Sequence, residues 1–145
     1  MSSDENIQTA RRFFDRAFST GDLAVIDEIV AADFVEHQNG AEGTGPEAVK
    51  RIVAGLRKSF PDLTLTIQDV VASGDDVWVR VRARGTDSGG VAGRAPTGTS
   101  VEIDVIDVLR FRGGRIVEHW GVADRLGMLQ QVGVVPRPQQ DRQIA

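Results

Sequence analysis

Three stretches near the start of the chain repeat apolar side chains every three or four residues, the spacing of helices with one buried face. This pattern predicts helices over residues 4–19, 22–31 and 45–59. A short extended segment, Phe34 to Gln38, lies between the second and third of them. The first part of the chain is therefore predicted to be mainly helical.

The period changes to two in the second half of the chain, where apolar and polar side chains alternate. The alternation predicts strands over residues 63–68, 77–84, 101–112 and 115–122, and Gly113–Gly114 forms the two-residue turn between the last two. Helices followed by an antiparallel meander with one apolar face are typical of an α+β fold. We expect the three helices to cover the apolar face of the sheet.

The connection between the second and third long strands, Gly85 to Gly98, is rich in glycine and has no periodicity. It is long enough to form a lid over a site. The chain shows no internal repeat and no change of composition that would mark a boundary. The sequence thus predicts one domain, residues 1–135, followed by a polar and disordered tail, residues 136–145.

Composition removes several classes of function. The chain has no cysteine, which excludes disulfides and a thiolate nucleophile, and its two histidines argue against a multi-histidine metal site. The formal net charge of −4 argues against nucleic acid or an anionic membrane surface as a partner. There is no apolar run of membrane-spanning length, and the polar start, residues 1–8, predicts no signal peptide. We therefore expect a cytoplasmic protein without a metal.

The hairpin turn sets a register from which candidate site residues follow. If Arg112 pairs with Arg115, the numbers of paired residues sum to a constant, and side chains then alternate strictly along both strands. This register predicts that four side chains interrupt the apolar face that the helices cover: Asp107, Glu118, Trp120 and Asp124. A carboxylate in such a place has the setting of a general base or a neutral hydrogen-bond donor.

Each of these carboxylates also has a structural interpretation, which the sequence leaves open. Asp107 could pair with an arginine, Glu118 could be solvated near the hairpin end, and Asp124 could cap a following helix. Asp107 and Asp124 would flank a ligand without touching each other. We expect Phe14 and Phe18 to close the same cavity from the helix side.

His37 is the histidine with the better case for a role in this pocket. It follows the second helix in a segment that could reach the pocket mouth, where an imidazole can donate or accept a proton near neutral pH. An ordinary surface histidine explains the pattern equally well. The other histidine, His119, is predicted on the opposite face of the sheet with a structural role.

The opposite face of the predicted sheet combines charged and apolar side chains. Arginines alternate with acidic residues there, which indicates a solvated face or a subunit contact. Trp78, Ile106 and Val108 are too apolar for a plain solvated face. We therefore predict a homodimer that uses this face.

Four segments together resemble a known family. They are Phe34-Val35-Glu36-His37, the connection from Gly85 to Gly98, the hairpin from Arg110 to Trp120, and Asp124 to Gly133. They are similar to the SnoaL-like polyketide cyclases, a branch of the nuclear-transport-factor-2-like cone fold. The similarity spans nearly the whole chain from Ile7 to Gly133, and the last third is its most specific part.

The resemblance implies three N-terminal helices on a strongly curved antiparallel sheet, forming a cone with one apolar pocket. Cyclases of this family close a ring by an intramolecular aldol reaction without a cofactor, and an aspartate moves the proton. The resemblance places that aspartate at Asp124, with Asp107 and His37 as further catalytic candidates and Trp120 and Glu118 against the substrate. The implied partner is an apolar polyketide-like or aromatic molecule.

The resemblance leaves other functions open. Relatives often carry a histidine in the connection where this chain has Asp87, which changes a group that assists proton transfer. The family also contains cofactor-free hydroxylases of aromatic polyketides, and a non-catalytic pocket protein of the same fold is a further alternative. Ketosteroid isomerases use a tyrosine, which this chain lacks, and limonene-type epoxide hydrolases use an aspartate where this chain has Val122.

Overall fold

The computed structural model describes residues 2–139. It contains four α-helices, one π-helical segment and six strands. In chain order they are α1 (Ser3–Arg12), the π-helical segment (Phe13–Phe18), α2 (Leu23–Ile29), β1 (Val30–Glu36), β2 (Gly43–Thr44), α3 (Gly45–Ser59), β3 (Thr64–Ser73), β4 (Asp76–Thr86), β5 (Ser100–Arg112), β6 (Arg115–Ala123) and α4 (Arg125–Gln131).

The six strands form one unclosed sheet of order β2-β1-β6-β5-β4-β3. All neighbouring strands are antiparallel except β1 and β6, which run parallel. The N-terminal helices pack on one face of this curved sheet, here called the inner face, and the core lies between them. The predicted α+β class is confirmed, and the one parallel pair is an addition to the predicted meander.

The first helix begins as its sequence predicts and ends in a wider turn. Ser2 and Glu5 form a complete capping box, each side chain bonding the other residue's backbone N–H. From Phe13 to Phe18 the helix is π-helical, and this widening turns Phe13, as well as Phe14 and Phe18, into the core. The period expected of a regular helix did not place Phe13 inward.

The second helix is shorter than predicted. It ends at Ile29, and the chain enters β1 at Val30, whose register partner in β6 is Ile116. The predicted extended segment therefore begins four residues earlier than the sequence pattern indicated. The early entry matters because it lets β1 run beside β6 as far as Glu36 and His119.

A β-bulge in β6 changes the predicted register of the final hairpin. Arg112 does pair with Arg115, but the register shifts by one residue between Phe111 and Arg110, with Val117 as the extra residue. The cause is that Ile116 and Val117 are both buried, which strict alternation does not allow. Every β6 residue after the bulge therefore faces the side opposite to the prediction.

The shift reverses the two faces of β6. His119 now lies on the inner face opposite Leu109, and Asp107 is paired with Gly121 instead of Trp120. Glu118 and Trp120 turn to the outer face, the side that the helices do not cover. The predictions that these two side chains interrupt the inner face, and that His119 does not, are wrong.

The glycine-rich connection between β4 and β5 is held down by a buried aspartate. Asp87 accepts hydrogen bonds from the Thr97 hydroxyl, the Thr97 N–H and the Gly90 N–H at 2.7–3.0 Å. The hydrogen bond from the Thr97 hydroxyl, assisted by the two backbone bonds, lowers the pKa of Asp87 although burial opposes the shift. The loop also bonds the end of α3, where Ser88 and Gly89 donate to the Ser59 carbonyl. Asp87 thus organises the loop from within.

Two further predictions concern the membrane and the end of the chain. Among residues 2–139, no helix has the length and apolarity needed to cross a membrane. Residues 136–139 are exposed and have no regular structure, and the rest of the predicted tail, 140–145, lies outside the described residues.

Candidate active site

A cavity with an internal volume of about 130 Å³ lies between the helices and the inner face of the sheet. Aromatic and aliphatic side chains line most of it, and four polar side chains gather on β1, β5, β6 and the residues just after β1. The apolar part is Phe13, Phe14, Phe18, Ile52, Leu56, Phe60, Leu63, Leu65, Ala83, Gly85, Val101, Ile103, Val105, Ala123 and Met128. The four gathered polar residues are Glu36, Gln38, Asp107 and His119.

The polar group is organised around one buried histidine. His119 Nδ1 is 2.8 Å from both carboxylate oxygens of Glu36, and His119 Nε2 is 2.7 Å from Oδ1 of Asp107. All three residues are at most 5% exposed. Neighbouring strands supply the group, because Glu36 ends β1, His119 is its register partner on β6, and Asp107 lies on β5. We call Glu36, His119 and Asp107 the buried triad.

The triad favours a charged imidazole. Burial alone would lower the pKa of His119, but the hydrogen bonds that it donates to Asp107 and Glu36, with the negative charge of both, raise it from 6.5 to about 9. At neutral pH His119 therefore donates an N–H to each carboxylate. The Phe13 ring, whose centroid is 6.0 Å from that of the imidazole, covers the histidine on the helix side.

Three of the predicted site residues do line the cavity. Phe14 and Phe18 form part of its aromatic wall, and Asp107 stands at its polar end as the register predicted. The side chain of Asp107 has one hydrogen-bond partner among residues 2–139, His119, through Oδ1. Its second oxygen is thus free to meet a molecule in the cavity.

The other predicted residues on β1 and β6 meet on the outer face. His37 lies in a stacked arrangement with Trp120, with ring centroids 4.7 Å apart, and its Nε2 is 3.1 Å from Glu118. Arg110 bonds Glu118 at 3.1 Å and lies 4.9 Å from the Trp120 ring centroid. His37, Trp120 and Glu118 therefore contact one another, as expected of neighbours, but the sheet separates them from the cavity. Their predicted place in the pocket is wrong.

Asp124 lies at the end of β6 and is exposed. It caps α4, because its Oδ1 accepts a hydrogen bond from the Gly127 N–H at 2.9 Å. It is not among the residues that line the cavity. The predicted register placed both Asp124 and Trp120 on the apolar face. The bulge at Val117 shifts that register by one residue, so the prediction fails for both.

This position gives a first testable prediction. Asp124→Asn should change neither the free energy of unfolding nor any activity of the protein, because asparagine is an equally good helix cap. Asp124→Ala should lower the free energy of unfolding by about 1 kcal/mol through loss of the cap. Urea denaturation of the three proteins measures both effects. A large loss of activity in Asp124→Asn would restore Asp124 as the base.

Three polar residues that line the cavity escaped the sequence analysis: Glu36, Gln38 and His119. Two signals pointed to them. The adjacent apolar pair Ile116–Val117 breaks the period of two and indicates a bulge, and Glu36 lies two residues after Phe34, so that both side chains share one face of the strand. With both signals, the sequence places His119 and Glu36 on the inner face.

The triad is not arranged as a metal site. Within residues 2–139 no group of three or more His, Asp or Glu side chains has the geometry to hold a metal ion. The reason is visible in the triad, where the two carboxylates bind opposite nitrogens of one imidazole and so cannot converge on a common point. The arrangement suits the storage and transfer of a proton at the end of an apolar cavity.

The fold and this site define a class of small pocket proteins built on a helix-covered, curved sheet, and comparison with known proteins gives the family. The sequence model of the SnoaL-like polyketide cyclases matches residues 8–132. This chain belongs to that family. The prediction made from the hairpin and its flanking segments is therefore confirmed.

Individual relatives agree with this assignment. Nogalonic acid methyl ester cyclase of Streptomyces nogalater is 26% identical over 121 residues, which are 81% of this chain and 90% of that protein. The structure of IdmH from Streptomyces antibioticus, described as a candidate polyketide cyclase, is 37% identical with a TM-score of 0.79 and covers 88% of this chain and 98% of its own. AclR from Streptomyces galilaeus, described as a candidate hydroxylase, is 29% identical with a TM-score of 0.84, covering 95% and 87%.

Proposed function

We propose that the protein is a cofactor-independent acid/base enzyme that closes a ring in an apolar, polyketide-like or aromatic substrate. The observation that carries the proposal is the buried triad at one end of an otherwise apolar cavity. Buried charges are expensive to maintain, and a polar group of this kind in a pocket is a candidate for chemistry. Membership of the cyclase family supports the same reaction class.

The proposed step uses Asp107 as the base. Its free carboxylate oxygen takes a proton from the carbon next to a substrate carbonyl, and the C–H electrons become the enolate. The enolate carbon attacks a second carbonyl of the same molecule, so that one C–C bond forms and the C=O π electrons move to oxygen. The alkoxide then takes the proton back from Asp107. No oxidant or reductant is consumed, and His119 holds Asp107 in place throughout.

The proposed substrate is uncharged at its reacting end. The triad holds two carboxylates around one imidazolium, so its charge repels a free carboxylate that enters the same apolar cavity. A ketone or an ester meets no such repulsion. The name of the Streptomyces nogalater relative refers to a methyl ester, which agrees with this expectation.

Proton removal can be tested without the natural substrate. 2-Tetralone is a small aromatic ketone with acidic hydrogens next to its carbonyl, and NMR in D2O follows their replacement by deuterium. The proposal expects exchange that saturates with ketone concentration and exceeds the buffer rate. Binding of the ketone without exchange would favour the non-catalytic pocket protein and overturn the proposal.

Ring closure itself needs a polyketide. Incubation with nogalonic acid methyl ester, the compound in the relative's name, should give the cyclised isomer with unchanged mass. A product heavier by one oxygen atom, formed with uptake of dioxygen, would instead favour the hydroxylase alternative. The similarity to AclR is the reason to test for it.

We also propose a homodimer that uses the outer face of the sheet. Four apolar side chains on adjacent strands are exposed on this face, and ion pairs surround them. They are Val71, Trp78, Ile106 and Val122. Large apolar side chains grouped on one face are typical of an interaction surface. The surrounding pairs, such as Arg80 with Asp69 and Arg82 with Asp104, would form its polar rim.

Ile106→Glu tests this surface. The new charge lies in the middle of the proposed contact and should shift the mass measured by light scattering at micromolar concentration to the 15.7 kDa of one chain. Leu126→Glu is the matched control, because Leu126 is an apolar residue that is even more exposed than Ile106 and lies on α4 outside the sheet face. A monomeric mass for the unchanged protein would contradict the dimer.

A further inference from the structure

Of the four polar side chains gathered at one end of the cavity, Glu36, Gln38, Asp107 and His119, Gln38 alone has a hydrogen-bond donor to spare. Both nitrogens of His119 are engaged by the triad, and carboxylates accept. Arg84 also lines the cavity, but its guanidinium pairs with Glu102. The amide group of Gln38 has no hydrogen-bond partner among residues 2–139.

We infer that Gln38 binds the substrate oxygen on which negative charge develops when Asp107 removes the proton. This inference rests on the proposed acid/base function and adds a second group to it. Removal of a proton next to a carbonyl turns the carbonyl oxygen into an enolate oxygen. A positioned N–H donor stabilises that oxygen more than it stabilises the ketone, and so lowers the barrier. Among the four polar side chains gathered at the triad, Gln38 is the one that can make this bond.

The position of Gln38 is fixed by the triad. Its backbone N–H donates to Oε1 of Glu36 at 2.9 Å, the same oxygen that lies 2.8 Å from His119 Nδ1. The donor and the base are therefore tied together through Glu36 and His119. A half-turn of the terminal amide exchanges its oxygen and its NH2 group, so the NH2 can face the cavity.

Gly121 provides the space in which the two groups come together. It is the register partner of Asp107, and a Cβ at this position would stand 2.7 Å from Oδ1 of Asp107 and even closer to Oε1 of Gln38. Both distances are shorter than van der Waals contact. The backbone of Gly121 does not have a positive φ, so the requirement for glycine comes from these two neighbours and not from its conformation.

The test compares two ligands that differ by one oxygen. 2-Tetralone carries a carbonyl that only a donor can bind, and tetralin is the same ring system without it. Calorimetry should show that the unchanged protein prefers the ketone. In Gln38→Leu this preference should fall by roughly 3- to 10-fold, the worth of one hydrogen bond, while tetralin binds at least as well as before. Deuterium exchange of bound 2-tetralone should slow by about 10-fold or more, because loss of the N–H donor raises the free energy of the enolate more than that of the ketone.

A glycine pair supplies the control. Gly121→Ala should reproduce the loss of ketone preference by displacing the amide, whereas Gly55→Ala, in α3 with nothing within 4 Å of the new Cβ, should leave it unchanged. An unchanged ketone preference in Gln38→Leu would overturn the role of Gln38 alone. Failure of the unchanged protein to exchange a ketone that it binds would overturn the proposed function, and the affinity ratio would still decide whether Gln38 binds the oxygen.

Discussion

Asp107→Asn is expected to slow the deuterium exchange of 2-tetralone by at least about 10²-fold, the typical contribution of a positioned general base. The amide keeps the shape of the carboxylate and can still accept the hydrogen bond that His119 Nε2 now makes at 2.7 Å. It cannot take a proton from carbon. The variant should therefore fold, bind 2-tetralone and leave its hydrogens in place.

The chain offers a matched control for this substitution. Asp124→Asn makes the same chemical change at an aspartate that caps α4 and stands outside the cavity lining. Exchange by Asp124→Asn should equal that of the unchanged protein, and circular dichroism should confirm that both variants are folded. Equal exchange rates in Asp107→Asn and the unchanged protein would contradict the assignment of Asp107 as the base.

The sequence predicted the architecture well because the hydrophobic periods are strong. The three N-terminal helices and the four long strands lie close to where their periods of 3.6 and 2 place them. Phe14 and Phe18 were placed correctly because they belong to the apolar stripe of the first helix, and Asp107 because the bulge lies in β6 and leaves the alternation of β5 unchanged. Local patterns suffice for such positions.

The site was harder because one extra residue decides which side chains face the cavity. Val117 is accommodated in a bulge that allows it to be buried beside Ile116, and the packing of both against the core is a tertiary effect. A prediction from strict alternation therefore placed Trp120 on the inner face and His119 on the outer face, whereas the structure has the reverse. The sequence analysis did not predict Glu36 in the site for a second reason. The parallel pairing of β1 with β6 joins segments that are distant in the chain, and no turn signal between them indicates that they pair.

The triad explains why such an unfavourable group can be buried at all. Each of the three residues is at most 5% exposed, yet each has a partner of opposite charge, and Glu36 also accepts the Gln38 N–H. A buried charge with a partner and further hydrogen bonds avoids most of the penalty for leaving water. Removal of a proton from His119 would leave two buried carboxylates without a cation between them. The stability of the fold should therefore depend on this proton.

This dependence gives the last prediction. The pKa of His119 is raised from 6.5 to about 9 in the folded protein, so the folded state binds the proton more tightly than the unfolded chain does. The resulting stabilisation is fully present below pH 6.5 and is lost as the pH rises through about 9. A shift of this size corresponds to roughly 3 kcal/mol in the free energy of unfolding. Urea denaturation between pH 6 and pH 10 should show the fall.

The second histidine separates this effect from other titrations. The chain has only His37 and His119, so His37→Gln leaves a single imidazole, and its NMR signal should titrate near pH 9 in the folded protein. The fall in stability should persist in His37→Gln, because His37 lies on the outer face, and should disappear in His119→Gln. An imidazole signal that titrates near pH 6.5 in folded His37→Gln would show that the carboxylates do not hold the proton, and the acid/base role of the triad would fall with it.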